Sequence, residues 1–468
     1  MKVLLCTPNR GNNATIQFGI AYIVSYLRQQ IPNVEVKIVD ETIGENIEEE
    51  VFKFQPNIVG ISALTPHVED AYRTLDTIKR NRPDILTVIG GVHSSALPNE
   101  ALKHADIVVV GAGEKIFTEI VKAFSSQNED FILQEMIDVG IIEGSPLPIE
   151  DYPEIPFDLL KMEKYIEGYF YPTLSGRIVA LFSSFHCNYA CPFCYNSKHH
   201  SKPMFFSTEY LVKTILFLHE KYNVNSFYMV DDDPLANIER LRELSLLFEK
   251  YKINSWIKWT CQTRVNTVNV EVLSLIKKMG CVSVAYGLES GNQRMLSYWK
   301  NNTVKLSESE DAIKMAHSFG LKVIGTFIVG WIDETEKEIR ETYNWILNQD
   351  SLSYANIGTI TPFPATKVWE ECERRGIKLP IEGEYSNLIP TTVTEKTLLI
   401  NQTMKRSEYF KLFNEVTRVT RLYSIMKNNP SYSQFFKLGK VGVWCWVMHP
   451  TKMVKLLLKV RIYKRLKQ

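Results

Sequence analysis

Apolar positions along this chain follow two rhythms. Short β-branched runs occupy Val3 to Cys6, Val34 to Val39, Ile58 to Ser62, Leu86 to Gly91 and Ile107 to Val110. Between them, Phe18 to Gln29, Val68 to Arg80, Asn99 to His104 and Lys115 to Phe124 carry helical patterns. Continuous apolar strands separated by amphipathic helices predict a parallel sheet covered on both faces. Residues 1–143 therefore read as a doubly wound, Rossmann-like α/β domain.

The rhythm then breaks. Pro146, Pro148, Pro153 and Pro156 stand among acidic residues without a period, which predicts a linker over 144–173. Alternation resumes with strands at Ile178 to Ser183, Ser226 to Val230, Trp256 to Cys261, Val282 to Gly287, Val323 to Val329 and Tyr354 to Thr361. The helical patterns between them are Thr208 to Tyr222, Ile238 to Tyr251, Val270 to Met279, Ser307 to Phe319 and Glu334 to Gln349. Six βα units over 174–376 predict a partial (βα)6 barrel with its site at the carboxyl ends of the strands. Residues 377–468 read as a helical region with a basic tail.

Composition narrows the choice. The 468 residues, 45% hydrophobic and 23% charged, can fill about two or three domains. Fifty-four Lys and Arg against fifty-three Asp and Glu leave +1, too little positive field for general nucleic-acid binding. Eight cysteines are too sparse for a disulfide scaffold, and the start MKVLLCTPNRGNN turns polar too early for a signal peptide. The expected compartment is the cytoplasm. No apolar run reaches the eighteen or so residues of a membrane span, the nearest being Val441 to Met448. Thr451 to Gln468 carries seven Lys and Arg and no acid among apolar residues. It reads either as an interfacial helix at the inner membrane surface or as a packed helix with solvated lysines.

Three of the cysteines, Cys187, Cys191 and Cys194, lie at spacings of four and three. A zinc site collects four protein ligands, commonly as two pairs, and no second CxxC completes one here. Three close thiolates on a loop instead suit a cubane iron–sulfur cluster that keeps one iron open for catalysis. The run CxxxCxxC, with Phe193 before the last Cys, resembles the radical S-adenosylmethionine superfamily. That resemblance implies a 4Fe-4S cluster on Cys187, Cys191 and Cys194, with S-adenosylmethionine on its open iron, cleaved to a 5′-deoxyadenosyl radical. It implies cofactor contacts from Phe193, from Asp231 or Asp232 to the ammonium, from Arg264 to the methionine carboxylate and from Glu289 to the ribose or amino group. Ile328, within Gly325 to Gly330, matches the strand that contacts adenine. The carboxylate run Asp231 to Asp233 also reads as a solvated, helix-capping turn, and Arg264 as a surface arginine. Trp331 departs from the usual Gly-Leu-Pro-Gly-Glu-Thr run and stands either at a substrate cavity or in the core. Cys6, Cys261, Cys281, Cys372 and Cys445 are scattered singly, which disfavours the methylthiotransferases with a second cluster.

Gly287-Leu288-Glu289-Ser290-Gly291 resembles the group within the superfamily that includes cobalamin-dependent enzymes. The first domain is similar to their cobalamin-binding domain in Gln17 to Tyr22, Ile58 to Ser62, Gly90 to His93 and Gly111 to Glu114. By that resemblance Ser62, Thr65, Gly90, Gly91, Gly113 and Glu114 contact cobalamin. No GxGxxG or phosphate-loop fingerprint favours a dinucleotide or nucleoside triphosphate there. A DxHxxG run is absent, so the expectation is that no protein histidine lies below the cobalt; His93, at a strand end, is the lesser alternative, since in matching family members its position belongs to a loop motif. The implied reaction is methylation of an unactivated carbon in a small-molecule or lipid substrate lying between the domains. An external flavodoxin- or ferredoxin-like donor would supply electrons. The competing expectations are a cobalamin-independent or non-methylating radical rearrangement or cyclisation, and a non-catalytic iron–sulfur or cobalamin-binding protein.

Overall fold

Two six-stranded sheets, parallel at every pairing, organise the chain. The computed structural model describes residues 1–8, 14–125, 130–197, 202–391 and 393–428. The first sheet holds β1 (Lys2–Thr7), β2 (Glu35–Asp40), β3 (Ile58–Ser62), β4 (Leu86–Gly90), β5 (Ile107–Gly111) and β6 (Ile141–Gly144). Its order, β2-β1-β3-β4-β5-β6, reverses direction at β1/β3, the place where open α/β sheets leave a crevice for ligands. Val3 and Leu5 pack on one face with the helices Phe18–Gln30 and Glu114–Ser125, whereas Leu4 and Cys6 pack on the other with Ile47–Phe54 and Val68–Asn81. Successive strand residues point to opposite faces, so continuous apolar runs serve both layers.

The second sheet holds β7 (Ile178–Leu181), β10 (Ser226–Met229), β11 (Lys258–Thr263), β12 (Cys281–Glu289), β13 (Lys322–Val329) and β14 (Tyr354–Thr359). A two-stranded antiparallel ribbon, β8 (Ser184–Phe185) and β9 (Met204–Phe205), follows β7. The order β14-β13-β12-β11-β10-β7 leaves β14 and β7 as its two ends, so the barrel is partial. Its helices begin on the side-chain caps Ser207, Asn237, Asn269, Asn292, Thr335 and Thr366, each accepting a backbone N–H from the first turn. The helix Arg406–Asn428 covers β14, burying Tyr409, Leu412, Phe413, Val416, Val419 and Leu422.

Three differences from the sequence reading matter. A sixth strand, β6, forms where only Ile141 and Ile142 announce it; it is an edge strand, and two apolar residues suffice. The stretch Asn99 to His104 gives way to helices Val92–Ala96 and Pro98–Ala101, because Gly91 at φ +97° turns the chain early and Pro98 starts a new turn. The 144–173 segment is packed rather than solvated, burying Leu147, Tyr152, Ile155, Phe157, Leu160, Met162, Tyr165 and Ile166, with a helix at Met162–Gly168.

That segment fixes the two lobes to each other. Tyr22 of the first lobe meets Tyr152 edge-on at 5.3 Å and stacks on Phe206 at 5.6 Å, while Tyr152 lies 4.8 Å from Phe185. Phe18 stacks on Phe182 at 5.6 Å. On the opposite flank the chain after the barrel returns to the first lobe, where the Tyr385 hydroxyl donates to Glu100 at 2.9 Å and Ser386 N–H donates to Glu69 at 3.3 Å. Among the described residues no helix is long and apolar enough to cross a membrane. The proposed tail of residues 441–468 and Cys445 lie outside the described residues.

Candidate functional site

The cysteine loop leaves β7 at its carboxyl end and is tied down at several points. Ser183 N–H, Ser183 Oγ and Ser184 Oγ all donate to Asp231 Oδ1, at 2.9, 2.9 and 2.6 Å. His186 takes φ +64°, which reverses the chain just before Cys187. Cys194 N–H donates to Cys191 O at 2.9 Å, Val368 N–H donates to Pro192 O, and Asn301 Nδ2 donates to Ala190 O at 2.6 Å. The three thiols thus face one cavity of ≈ 200 Å³, shared with Tyr189, Phe193, Asp231, Asp232, Arg264, Glu289 and Lys300 among others. Burial pushes the Cys187 thiol up and the Cys194 thiol up to about 11. Among the described residues no group of three His, Cys, Asp or Glu closes to the distances of a single metal ion. A cubane places each thiolate on a different iron and so accepts the wider spacing; the donor set fits a cluster.

The carboxylates that follow β10 divide their work. Asp231 is 2% exposed, and burial holds its carboxyl above the ordinary range; one oxygen clamps the cysteine loop. Asp232 is exposed and accepts from Asn196 Nδ2 at 2.6 Å. Asp233, inside the turn, accepts from Thr263 and Thr267 at 2.7 and 2.8 Å. So only Asp232 stands as a solvated carboxylate, and the cap of the following helix is Asn237, which departs from the solvated, helix-capping turn that the run suggests.

Across the cavity, β12 ends in a bulge. Glu289 adopts φ +59°, an uncommon conformation for a side-chain-bearing residue, and the pairing with β13 shifts between Gly287 and Glu289. Its Oε1 accepts from Lys300 Nζ at 2.7 Å, with both side chains buried. Gly287 makes room: a Cβ there would lie 2.5 Å from Glu289 Oε1 and 3.1 Å from Lys300 Nζ. Gly291 does the same for the barrel wall, where a Cβ would meet Trp345 at 2.5 Å. Arg264 follows β11 directly, because the strand runs two residues further than the sequence suggests, to Thr263. It is buried rather than on the surface, donating from Nη1 to Cys191 Sγ at 3.0 Å, from Nη2 to Thr303 Oγ1 at 2.9 Å and from Nε to Asn266 Oδ1 at 3.2 Å. Phe193 meets Trp299 edge-on at 5.7 Å at the cavity wall. Ile328 packs half-buried with the cluster of Trp299 and Trp331, away from the lining. Trp331, 3% exposed, belongs to that core.

The first lobe holds its own cavity of ≈ 180 Å³ at the carboxyl ends of its strands. Leu5, Ile20, Ile23, Val88, Val109 and Phe117 make it apolar, and Ser62, Gly90, Gly91, Gly113 and Glu114 edge it. Glycine is what leaves the space: a Cβ on Gly60 would lie 2.5 Å from Leu5 Cδ2, and one on Gly113 2.7 Å from Ile23 Cδ1. Glu114 is 6% exposed, burial raises its carboxyl, and Oε2 has no hydrogen-bond partner. Leu64 and Val92, on the neighbouring loops, are 52% and 40% exposed. An apolar pocket, an orphaned polar atom and two exposed apolar side chains fit an apolar portion of a larger cofactor whose polar groups lie outside the pocket. Thr65 and His93 are not part of the lining. His93 is wholly buried and places Nδ1 3.2 Å from Thr65 Oγ1 and Nε2 3.2 Å from Glu100 Oε1, leaving no ring nitrogen for cobalt.

A hydrogen bond links the surroundings of the two cavities. Tyr195, beside Cys194, hydrogen-bonds Ser95, whose Oγ also accepts from Gly111 N–H at 3.0 Å. Lys300 and Tyr189 are site residues that sequence reasoning misses. Lys300 follows the short helix Gln293–Trp299 without periodicity to mark it, and Tyr189 lies inside the cysteine motif at a position the spacing leaves free.

Comparison with known proteins agrees with this arrangement. The chain matches the Radical SAM superfamily over residues 181–346 and the B12 binding domain over residues 12–121. It is 32% identical to an uncharacterized methyltransferase of Pyrococcus horikoshii over 391 residues, 80% of this chain and 82% of the relative. It is 26% identical to the anaerobic magnesium-protoporphyrin IX monomethyl ester cyclase of Rubrivivax gelatinosus, covering 95% of this chain and 85% of the cyclase. In fold it is similar to OxsB, a cobalamin-dependent S-adenosylmethionine radical enzyme solved with aqua-cobalamin and S-adenosylmethionine bound. There the TM-score is 0.69 at 14% identity, covering 100% of this chain and 80% of that one.

Proposed function

Because this chain belongs to the cobalamin-dependent radical S-adenosylmethionine enzymes, we propose that it methylates an unactivated carbon of a small-molecule or lipid substrate held between its two lobes. The observation that carries the reading is the Tyr195–Ser95 contact, which ties the residue after Cys194 to a serine that also bonds Gly111 of the apolar cavity in the first sheet. The cofactors of this enzyme are a 4Fe-4S cluster, S-adenosylmethionine and cobalamin. When bound, they supply a carbon-centred radical and a methyl group, the chemistry that no side chain performs.

The protein's share is holding and alignment. Cys187, Cys191 and Cys194 would hold the cluster, and the Asp231 clamp keeps their loop in register with β10. The Glu289–Lys300 pair presents one acid and one base to an amino acid zwitterion. Gly60 and Gly113 keep the first cavity open for the apolar part of cobalamin, with Glu114 as a hydrogen-bonding group at its edge. The electron comes from an external donor of flavodoxin or ferredoxin type.

Anaerobically reconstituted protein given cobalamin, S-adenosylmethionine and dithionite as reductant is expected to release both 5′-deoxyadenosine and S-adenosylhomocysteine, and Cys191→Ala neither. The 95% coverage by a cyclase relative favours one second reading, a radical cyclisation without methyl transfer. Deoxyadenosine without S-adenosylhomocysteine would select that reading, and absence of both would sink the two together.

A further inference from the structure

Arg264 is held from several sides in the cysteine cavity. Three of its N–H groups are committed, to Cys191 Sγ, Thr303 Oγ1 and Asn266 Oδ1. Its guanidinium lies 3.6 Å from the centroid of the Tyr189 ring, and the Tyr189 hydroxyl is itself held by Asn266 Nδ2 at 3.1 Å. A planar cation stacked on a ring and fixed at three donors has little freedom to swing toward another ligand. Thr303 Oγ1 in turn donates to Lys300 O, so the arrangement is anchored on the chain that follows the helix Gln293–Trp299. The sequence resemblance gives Arg264 to the methionine carboxylate; the geometry gives its Nη1 to a cysteine sulfur.

We infer that Arg264 is a positioning residue that sets the reduction potential of the cluster by donating a charge-assisted hydrogen bond to the Cys191 thiolate. The inference rests on the cluster assignment above. A cation hydrogen-bonded to a ligand sulfur withdraws electron density from the iron. Hydrogen bonds to the sulfurs and nearby charge are principal controls of iron–sulfur potentials. The one-electron reduced cluster carries one more negative charge than the oxidised cluster, so a fixed positive charge at 3.0 Å from one of its thiolates favours the reduced form. Tyr189 serves as the platform that keeps the guanidinium on the sulfur, and Thr303 and Asn266 fix its plane. Electron entry and cofactor binding are thereby separated: the arginine tunes the cluster, and the Glu289–Lys300 pair remains for the amino acid end of the cofactor.

The test measures potential rather than turnover. Wild type, Arg264→Gln and Arg264→Lys are reconstituted anaerobically, matched for iron and sulfide, and titrated with dithionite as the one-electron reductant. The reduced-cluster paramagnetic signal is followed without S-adenosylmethionine. The midpoint of Arg264→Gln is expected to move negative at equal iron content, with Arg264→Lys in between. Equal midpoints would overturn the inference, as would an unmoved midpoint with weakened S-adenosylmethionine binding, which returns the arginine to the methionine carboxylate. If Arg264→Gln fails to hold a cluster, Tyr189→Leu decides, since it keeps the charge and removes its platform: a smaller negative shift supports the inference and an unchanged midpoint overturns it. Failure of wild type to assemble any cluster would instead refute the underlying assignment.

Discussion

The buried pair Glu289–Lys300 offers the sharpest energetic test of the site. Its atoms lie 2.7 Å apart with side chains 6% and 4% exposed. At that separation and an effective dielectric constant of about 20, the gross attraction is about 6 kcal/mol. Desolvating both ions takes back several kcal/mol, so the pair's net contribution to folding is only about 1 kcal/mol, whereas the coupling read by a double-variant cycle is expected to be about 5 kcal/mol. Lys300→Met removes the cation and leaves a carboxylate uncompensated in the cavity, which is expected to cost about 3–5 kcal/mol of folding stability. Glu289→Gln leaves the ammonium buried against an amide and is expected to cost somewhat less. The double variant, with neither charge, is expected to recover most of the loss. Anaerobic urea unfolding of all four proteins gives the coupling energy as the difference between the double and the summed single effects. A coupling below about 0.5 kcal/mol would mean that solvent screens the pair, and the paired-charge description of this wall would be wrong.

Other expectations follow from single contacts. Glu334 is buried with its Oε2 accepting from Gly330 and Trp331 N–H, and burial pushes its carboxyl up to about 7. A carboxyl raised in the folded state stabilises fully below its unfolded value and loses that contribution as pH rises through 7. Wild type is therefore expected to lose roughly 3 kcal/mol between pH 4.5 and pH 7 that Glu334→Gln does not lose. Parallel pH profiles of melting temperature for the two proteins would contradict this. Gly113→Leu, whose first added carbon already lies 2.7 Å from Ile23 Cδ1, is expected to weaken cobalamin retention at least about tenfold with cluster content unchanged. Equal corrin absorption after desalting would remove the first cavity from consideration. Tyr385→Phe deletes a 2.9 Å hydrogen bond to the half-buried Glu100 and is expected to destabilise by about 1–3 kcal/mol in denaturant titration. No change would show that this return contact between the lobes carries no free energy.

Much of this architecture is legible in the sequence, for physical reasons that can be named. The helix Thr208–Tyr222 falls where the pattern puts it because Ser207 caps one end and Asn223, in the left-handed region, closes the other. The cysteine trio is legible because cluster ligation needs a fixed local spacing. What is hidden depends on partners far along the chain. That Asp231 also clamps the cysteine loop shows only when Ser183 and Ser184, on another strand end, are seen to donate to one of its oxygens. Lys300 acquires meaning only opposite Glu289, eleven residues and one helix away. Thr65, in the short turn after β3, and Ile328, near the end of β13, pack away from the cavities, because a sequence rhythm places residues near a strand end without fixing which cavity they line. The 144–173 segment looks like a linker because its prolines and acids hide apolar side chains that have no regular period.

That packed segment constrains how the protein can be cut and rejoined. Its Tyr152 sits between Tyr22 of the first lobe and Phe185 of the cysteine loop, and the chain near Tyr385 reaches back to Glu100. A chimera joined at the apparent boundary near residue 144 would exchange the cobalamin lobe while stranding half of an aromatic cluster on each parent. Grafts that carry residues 144–173 and the Tyr385 region together with the barrel, and match Phe18 and Tyr22 on the incoming lobe, keep that cluster whole. The unit available for exchange is therefore a barrel with both of its straps.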